Sequence, residues 1–222
     1  MNPSPRPRRP WKLRVALIFW LGLHLVIFGA DILAPHAPEL QDRLAAGVGP
    51  GLGPSESGLY HPLGTDRYGR DLLSRMLYGA RLSLLAGLAA AAAAVGLGTL
   101  IGLIAGYIGG WVDAFFMRLC ELTSSLPWLY LLLAIRALLP LETPPEKTLF
   151  YLSALIGLLA WPKPARLVRG VTAGARSADF VLAARGFGAP HRHILARHVL
   201  PQVTGTALTQ LTLLIPACVL AE

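Results

Sequence analysis

The chain of 222 residues alternates between long apolar stretches and polar segments. A transmembrane α-helix needs about 20 predominantly apolar residues to cross a hydrocarbon core of about 30 Å. The apolar stretches are of about this length, and the shortest reaches it when neighbouring residues are added. They are Leu13–Ala30, Leu82–Gly106, Phe115–Leu139, Leu149–Trp161 and the run from Pro201 to Glu222. The pattern predicts an all-α, polytopic membrane protein with about five transmembrane helices.

A basic segment precedes the first apolar stretch, as it does in both cleaved signal peptides and uncleaved membrane anchors. Its basic residues are Arg6, Arg8, Arg9, Lys12 and Arg14. Leu13–Ala30 is longer than the roughly 7–15 residues of a signal-peptide apolar region. It also lacks a small-x-small cleavage pattern before Asp31. We therefore favour an uncleaved anchor over a signal peptide.

Small residues recur at every fourth position of the second apolar stretch. These residues, called here the small-residue stripe, are Ala90, Ala94, Gly98, Gly102 and Gly106. At this spacing they form one narrow face of a helix. Small side chains let helix backbones approach closely in lipid, where packing replaces the hydrophobic driving force. The stripe is therefore predicted to be a helix-packing surface.

The third apolar stretch contains polar residues at a depth where they cost free energy unless they face protein or water. Ser124 and Ser125 stand shortly before Pro127, which leaves backbone carbonyls without their helical donors. A helix that faces lipid would avoid this combination. We therefore assign Ser124, Ser125 and Pro127 to a candidate substrate pathway.

The distribution of charge predicts the orientation in the membrane. Only 14% of the residues are charged, against about 25% in soluble domains, and the net charge is +8. Seven basic residues oppose one acid between Lys163 and Arg197, whereas Asp31–Arg81 holds five arginines and six acids. The positive-inside rule places Lys163–Arg197 and the N-terminus in the cytoplasm, and Asp31–Arg81 outside. Four crossings from a cytoplasmic N-terminus give the same result.

The segment His61–Arg81 precedes the second apolar stretch and combines charged and apolar residues. A Pro-Gly turn leads into it, and its charges alternate in sign. Its apolar residues are Leu72, Leu73, Met76 and Leu77. This pattern predicts an amphipathic helix in the membrane interface.

A basic segment, Asp179–Gln202, lies between the last two apolar stretches, and its capping residues predict two short helices. Ser177 or Asp179 is expected to cap the first helix, which Gly186 or Gly188 ends in a left-handed conformation. The second helix is expected to begin at Pro190 and to end near Val199. We call Asp179–Val199 the elbow.

The elbow has three candidate roles. Phe180, Ala183, Ala184 and Phe187 share one helical face, which favours docking into a groove of another protein. A basic loop attracted to anionic lipid is an alternative. A DNA-binding helix-turn-helix is a weaker one, because apolar stretches tether the segment on both sides.

Candidate catalytic and metal sites are sparse. His191 and His193 point to different sides of a helix, and no carboxylate accompanies them, so we predict no metal site and no cofactor. There is no Gly-rich phosphate loop that ends in Gly-Lys-Ser/Thr, so the chain is not expected to hydrolyse ATP. Cys120 and Cys218 lie in apolar surroundings and are expected to be buried without a disulfide. A membrane-embedded enzyme would need a catalytic cluster, and none stands out.

Several separated motifs, in order, resemble the membrane subunits of ATP-binding cassette importers, in the oligopeptide, dipeptide and nickel branch. His61–Arg81 has the pattern HPLGTD-x-x-GRD-x-x-SR-x-x-YGAR, and Gly106–Asp113 has GYIGGWVD. The step Leu126-Pro127 and the run PARLVRG at Pro164–Gly170 continue the likeness. In the elbow, Ala183-Ala184, Gly188 and Leu200-Pro201 keep the spacing of the family's EAA loop. Leu182 stands where that motif has its glutamate.

The resemblance implies a function and a set of partners. The elbow would dock on a separate ATPase through Phe180, Leu182, Ala183, Ala184, Gly188, Leu200 and Pro201. ATP binding would drive alternating access, a second permease subunit would pair with the chain, and an extracytoplasmic binding protein would deliver the solute. Leu182 in place of glutamate implies a weaker ATPase contact. The implied location is the cytoplasmic membrane, with no nucleic-acid partner.

The resemblance also implies a domain division and a sixth helix. Residues 1–60 would form a cytoplasmic head, the first transmembrane helix and an external loop. Residues 61–222 would form the permease core, with the coupling loop at 163–201. Because family members continue into one more span, the sequence predicts a chain that is shortened at its C-terminus. Either the gene is shortened or the sequence is incomplete, and a non-transporting membrane scaffold or an inactive permease remnant is the alternative function.

Overall fold

The computed structural model describes residues 10–51, 55, 57–140 and 142–221. In these residues the regular structure is helical, together with two isolated β-bridges, which confirms the predicted all-α class. The helices are α1 (Pro10–Phe28), α2 (Ala30–Leu33), α3 (Leu72–Ile108), α4 (Gly110–Ser125), α5 (Trp128–Leu138), α6 (Pro145–Ala160), α7 (Pro162–Arg176), α8 (Asp179–Gly186), α9 (His191–Ile194) and α10 (Leu200–Ala221), with a 3₁₀ turn at Arg43–Ala45 and a π-helix at Leu195–Val199.

Two continuous helical stretches in the described part of the chain are long and apolar enough to cross a membrane. They are Leu72–Ile108 and His191–Ala221, and Trp128–Leu138 is a shorter apolar helix. Helix α1 covers the first apolar stretch with 19 residues. The count of about five transmembrane helices stays a prediction.

Helix α3 begins earlier than the sequence predicted. It has 37 residues, so it is about 55 Å long at about 1.5 Å per residue. The expected interfacial helix with Leu72, Leu73, Met76 and Leu77 is the first two turns of α3. The prediction of a separate helix before Leu82 was wrong. No proline stands between Leu77 and Leu82, and the one glycine there, Gly79, lies within the helix, so α3 continues without a break.

The third predicted span is not one continuous helix. Helix α4 ends at Ser125 and α5 begins at Trp128, with Leu126 in an extended conformation between them. Pro127 accounts for the break, because its ring disfavours the helical conformation of the residue before it. Neither half reaches about 20 residues by itself.

The chain divides into two compact units, one ending at Leu82 and the other beginning at Ser83. The first unit therefore includes the His61–Arg81 segment, which the sequence assigned to the permease core from residue 61 onward. The second unit holds the rest of α3 and helices α4 to α10.

Buried polar groups hold the turns of the first unit together. The two ring nitrogens of His61 face two carboxylates: Nδ1 lies 3.1 Å from Asp71 Oδ1, and Nε2 lies 3.4 Å from Asp42 Oδ2. All three side chains are almost fully buried. Asp71 Oδ2 also accepts a 2.7 Å hydrogen bond from the Ser74 amide in the first turn of α3, as an N-cap aspartate does. We call this region, Gln41–Ser74, the polar turn assembly.

Two glycines of the polar turn assembly are required by the backbone. Gly64 and Gly69 have φ of +79° and +75°, in the left-handed region that favours glycine. A Cβ at Gly69 would collide with the Asp42 carbonyl, and one at Gly64 with the Val48 carbonyl. The glycines of the HPLGTD-x-x-GRD pattern therefore have a structural cause.

In the second unit, the small-residue stripe of α3 packs with three other helices, α6, α7 and α10. A Cβ at Gly102 would come within 2.6 Å of the Ala165 carbonyl, and one at Gly106 within 2.6 Å of the Arg169 carbonyl. Gly98 approaches Trp161 and Pro164 in the same way. Ala90 and Ala94 are buried in an apolar cluster with Ile156 of α6 and Leu214 of α10. The glycine half of the stripe thus seats α7, a helix that the sequence treated only as part of a basic loop.

Candidate functional site

The first helix of the elbow, α8, has the predicted end and a different beginning. Gly188 has φ of +77°, its amide bonds the Arg185 carbonyl at 2.9 Å, and the Ala189 amide bonds the Ala184 carbonyl at 3.0 Å. This pair of bonds is the Schellman motif. Gly186 does not adopt the left-handed conformation, so Gly188 alone ends the helix.

The predicted caps at the start of α8 were wrong. The N-cap is Ala178, without a side-chain hydrogen bond. The Ser177 hydroxyl bonds the Gly174 carbonyl at 3.0 Å instead, at the end of α7. Asp179 is the first residue of α8, where its negative charge interacts favourably with the positive end of the helix dipole.

The second helix of the elbow does not end near Val199, which corrects the sequence prediction. Helix α9 passes into the π-helix Leu195–Val199 and then directly into α10. Pro201 lacks an amide hydrogen and would leave one carbonyl of the preceding turn without a donor. The wider π turn just before it accommodates that loss. The elbow is therefore continuous with a membrane-length helix, His191–Ala221.

The elbow rests on an apolar core of its own. Val181 of α8, Ile194 of α9 and Val199 of the π-helix are fully buried. They pack in one cluster with Tyr107, Val168, Ala175 and Val203. These contacts fix α8 to the ends of α3, α7 and α10 without help from another protein.

The opposite face of α8 is exposed and apolar. Phe187 is 92% exposed, Leu182 52% and Phe180 45%, and Ala183 is also exposed. Helical spacing puts Val181, Ala184 and Arg185 on the inner face. Ala184 packs partly against the elbow core, so of the Ala183-Ala184 pair only Ala183 is free for a partner. Gly188, Leu200 and Pro201 are exposed as well.

Helix α7 joins the elbow to α4 through an ion pair. Arg169 donates to both carboxylate oxygens of Asp113, with Nε 2.8 Å from Oδ1. Two-pronged arginine–carboxylate pairs are directional as well as strong. This pair links two of the sequence motifs, GYIGGWVD and PARLVRG, which the sequence alone left unconnected.

The three candidate pathway residues lie at the break between α4 and α5. Ser124 lines an apolar cavity of about 250 Å³ together with Trp128, Ile156 and Leu214. Its hydroxyl lies 3.4 Å from Nη2 of Arg166. The Ser125 hydroxyl bonds the Leu122 carbonyl at 2.8 Å, and Pro127 precedes the first residue of α5. Of the three, Ser124 alone lines this cavity.

A cluster of polar aromatic and basic side chains at the inner edge of the elbow was missed by the sequence analysis. The Tyr107 hydroxyl lies 2.8 Å from Nδ1 of His191, and the Arg185 guanidinium lies 5.5 Å from the centre of the Tyr107 ring. The cluster joins the end of α3 to α8 and α9. Tyr107 falls within the GYIGGWVD motif, which is the signal that could have pointed to it.

The histidines and cysteines have ordinary environments. The ring centres of His193 and His198 are 5.9 Å apart, and Nδ1 of His191 is in hydrogen-bond contact with the Tyr107 hydroxyl. Among the described residues, no group of three or more His, Cys, Asp or Glu side chains could hold a metal ion. Cys120 and Cys218 are buried and are not joined by a disulfide.

Comparisons with known proteins agree with these motifs. Residues 98–222 match the family of binding-protein-dependent transport system inner membrane components. The chain is 39% identical to the oligopeptide transport system permease protein OppC of Haemophilus influenzae over 163 residues, which are 73% of this chain and 50% of that protein. It is 32% identical to the dipeptide transport system permease protein DppC of Bacillus subtilis, over 95% of this chain and 62% of that one.

A third relative extends the same pattern. The oligopeptide transport system permease protein OppC of Escherichia coli K12 is 35% identical over 93% of this chain and 65% of its own length. The chain thus spans between 50% and 65% of the length of these three relatives. Since the family match covers more than half of the chain, this protein belongs to the family of binding-protein-dependent transport system inner membrane components.

Proposed function

We propose that the chain is the permease subunit of an ATP-binding cassette importer that moves di- or oligopeptides, or a related small solute, across the cytoplasmic membrane. The observation that carries the proposal is the elbow, whose inner face packs on the chain's own core while Phe180, Leu182 and Phe187 stay exposed. An exposed apolar helical face on a fixed base suits docking into a groove. The names of the relatives support peptides as the solute class.

In this proposal the ATPase is a separate subunit that binds the exposed face of α8. Its movement on binding ATP would pass through α9 and the π-helix into α10, because these segments form one continuous helix. A second permease subunit and an extracytoplasmic binding protein complete the importer. Four helical crossings before the elbow, with α4 and α5 forming the third together, would place it in the cytoplasm.

Co-purification of the cognate ATPase with the full chain and its partner permease tests the docking role. Ala183→Asp puts an unpaired charge into the proposed contact, which costs several kcal/mol when it is buried. We expect ATPase recovery to fall at least tenfold. Gly188→Trp, which strains the left-handed turn, should act in the same direction. Leu182→Glu should increase recovery above that of the unaltered chain.

Gly170→Asp is the matched control. Gly170 is exposed on α7, with open space around it, so the substitution adds the same charge away from α8. It should leave ATPase recovery unchanged. Equal recovery with Ala183→Asp and with the control would refute the docking role and favour a membrane scaffold.

The orientation is tested by labelling single cysteines from outside intact cells with an impermeant thiol reagent. Cys120 and Cys218 are buried, so the background should be low. Glu39→Cys, at an exposed position of the Asp31–Arg81 segment, should be modified. Ser177→Cys should not, because the positive-inside rule puts position 177 in the cytoplasm. Strong labelling at position 177 alone would invert the topology.

A further inference from the structure

A second, amphiphilic site lies beside the elbow. A cleft of about 830 Å³ opens between the last turns of α3 and the segment that runs from α9 into α10. Its volume falls in the range of about 300–1,000 Å³ that is usual for small-molecule pockets. The apolar wall consists of Leu100, Leu103, Ile104, Leu195, Ala196 and Leu200.

One end of the cleft is strongly basic. Arg176, Arg185 and Arg192 line it, and no carboxylate does. Arg176 Nη1 donates a 2.9 Å hydrogen bond to the carbonyl of Ile108, the last residue of α3. Leu100 lies eight residues before Ile108, about 12 Å along the helix axis. The arginines therefore stand at the end of an apolar membrane-length helix, and the apolar wall extends from them along it.

No carboxylate of the described residues pairs with the positive charge at this end, which the three arginines carry. Nε of Arg185 is buried without a hydrogen-bond acceptor in that same part of the chain. A buried donor without a partner destabilises the folded chain, and more strongly when it is charged. An anion in the cleft would remove this destabilisation.

A carboxylate that neighbours two of these arginines is engaged by another arginine. Arg176 and Arg185 also border a neighbouring cavity that contains Asp113. Asp113, however, is engaged by both prongs of Arg169. Asp113 is therefore not a free counter-ion for the basic end of the cleft.

We propose that the cleft binds one anionic phospholipid. Its phosphodiester would accept hydrogen bonds from Arg185 and its neighbours, and one acyl chain would lie along Leu103, Ile104 and Ala196. Guanidinium groups suit phosphate because of their planar, multiple donors. A soluble phosphate would satisfy the charge but leave the apolar wall uncovered. Basic pockets at the ends of transmembrane helices are suited to lipid head groups.

The test counts lipids bound to the full chain in detergent by native mass spectrometry, with phosphatidylglycerol and phosphatidylcholine at equal concentrations. We expect phosphatidylglycerol to bind at least tenfold more tightly. Arg185→Gln should reduce its affinity about tenfold, as expected for the loss of a charge-assisted contact. Ala196→Trp should occupy the space beside the apolar wall where the acyl chain would lie. It should therefore reduce the affinity for phosphatidylglycerol although all three arginines are intact.

Arg197→Gln is the matched control. Arg197 belongs to the same π-helix as Leu195 and Ala196, but it is exposed and does not line the cleft. It should leave the affinity for phosphatidylglycerol unchanged. If Arg197→Gln lowers the affinity as much as Arg185→Gln, the attraction is diffuse charge and the site is refuted. If Arg185→Gln fails to fold, Ala196→Trp and the lipid comparison still decide the question.

Two further measurements identify the occupant. Glycerol phosphate at millimolar concentration should not displace the lipid; displacement would mean a site for soluble phosphate. The assembled complex with its partner subunits should keep the bound phosphatidylglycerol. Loss of the lipid on assembly would show that a protein surface, not a lipid, fills the cleft.

Discussion

The polar turn assembly and the elbow are both built from short segments, and opposite forces hold them. In the polar turn assembly, His61 is buried between Asp42 and Asp71, so order depends on hydrogen bonds between buried polar groups. In the elbow, Val181, Ile194 and Val199 are buried, so order depends on apolar area. The polar region should therefore tolerate almost no change of residue type, whereas the apolar one should tolerate changes that keep volume.

The largest expected effect is at Asp71. Asp71→Leu removes a partner of His61 and the acceptor for the Ser74 amide, both at buried positions. A buried polar group left without its partner costs about 1–3 kcal/mol, and this substitution leaves two such groups, the His61 ring and the Ser74 amide. We expect a clear fall in the thermal midpoint of the detergent-extracted protein and faster amide exchange at Ser74.

Asp31→Leu is the control for this prediction. Asp31 pairs with Arg81 at 2.8 Å, but its side chain is 62% exposed. Exposed ion pairs contribute little to stability because water screens them, so the thermal midpoint should hardly move. Similar effects of both substitutions would mean that the buried network does not hold the polar turn assembly.

A smaller effect is expected at Gly102 of α3, which packs against α7. Gly102→Leu must displace the Ala165 carbonyl and the Val168 side chain, because its Cβ alone would come within 2.8 Å of both. Overpacking of this kind costs about 1–3 kcal/mol. The thermal midpoint should fall, and ATPase recovery should fall with it because α7 supports the elbow.

Gly96→Leu separates overpacking from a general intolerance of large residues in α3. A Cβ at Gly96 would meet nothing within 4 Å, so this control should leave the thermal midpoint unchanged. An unchanged profile for Gly102→Leu would instead mean that α3 and α7 separate readily.

Local pattern predicted much of the fold, and the limits of that prediction follow from distance along the chain. The spacing of Gly98, Gly102 and Gly106 predicted a packing face, and the glycine pattern predicted the end of α8 at Gly186 or Gly188, because both depend on neighbouring residues. The partner of that face, α7, was not predicted. The basic residues on its exposed side indicated a polar loop, although Ala165, Val168 and Thr172 form a buried face of a helix.

Contacts between distant residues were the other omission. Tyr107 and His191 are 84 positions apart, and Asp42 and His61 are 19 apart. No local pattern links such pairs, because only the folded chain brings them together. Pro127 and Pro201 show the same limit for proline: one breaks a helix, whereas the other follows a π turn that keeps the helix continuous.

The smallest effect concerns the pH dependence of the polar turn assembly. Hydrogen bonds from the Ser57 hydroxyl, and then from Ser55 and His61, hold the pKa of Asp42 at about 2, below its ordinary value of 3.8. Because the folded state lowers this pKa, the stabilisation is complete above about pH 4 and is lost as the pH falls towards 2. The difference in thermal midpoint between the unaltered chain and Asp42→Asn should therefore shrink from pH 5 to pH 2.5. The pKa of Asp66 is lowered too, because hydrogen bonds from the Arg70 and Tyr68 amides act against the raising effect of desolvation. Asp66 is present in both chains, so the comparison with Asp42→Asn subtracts its contribution. A difference that stays constant over this range would mean that the Asp42 charge does not stabilise the turns.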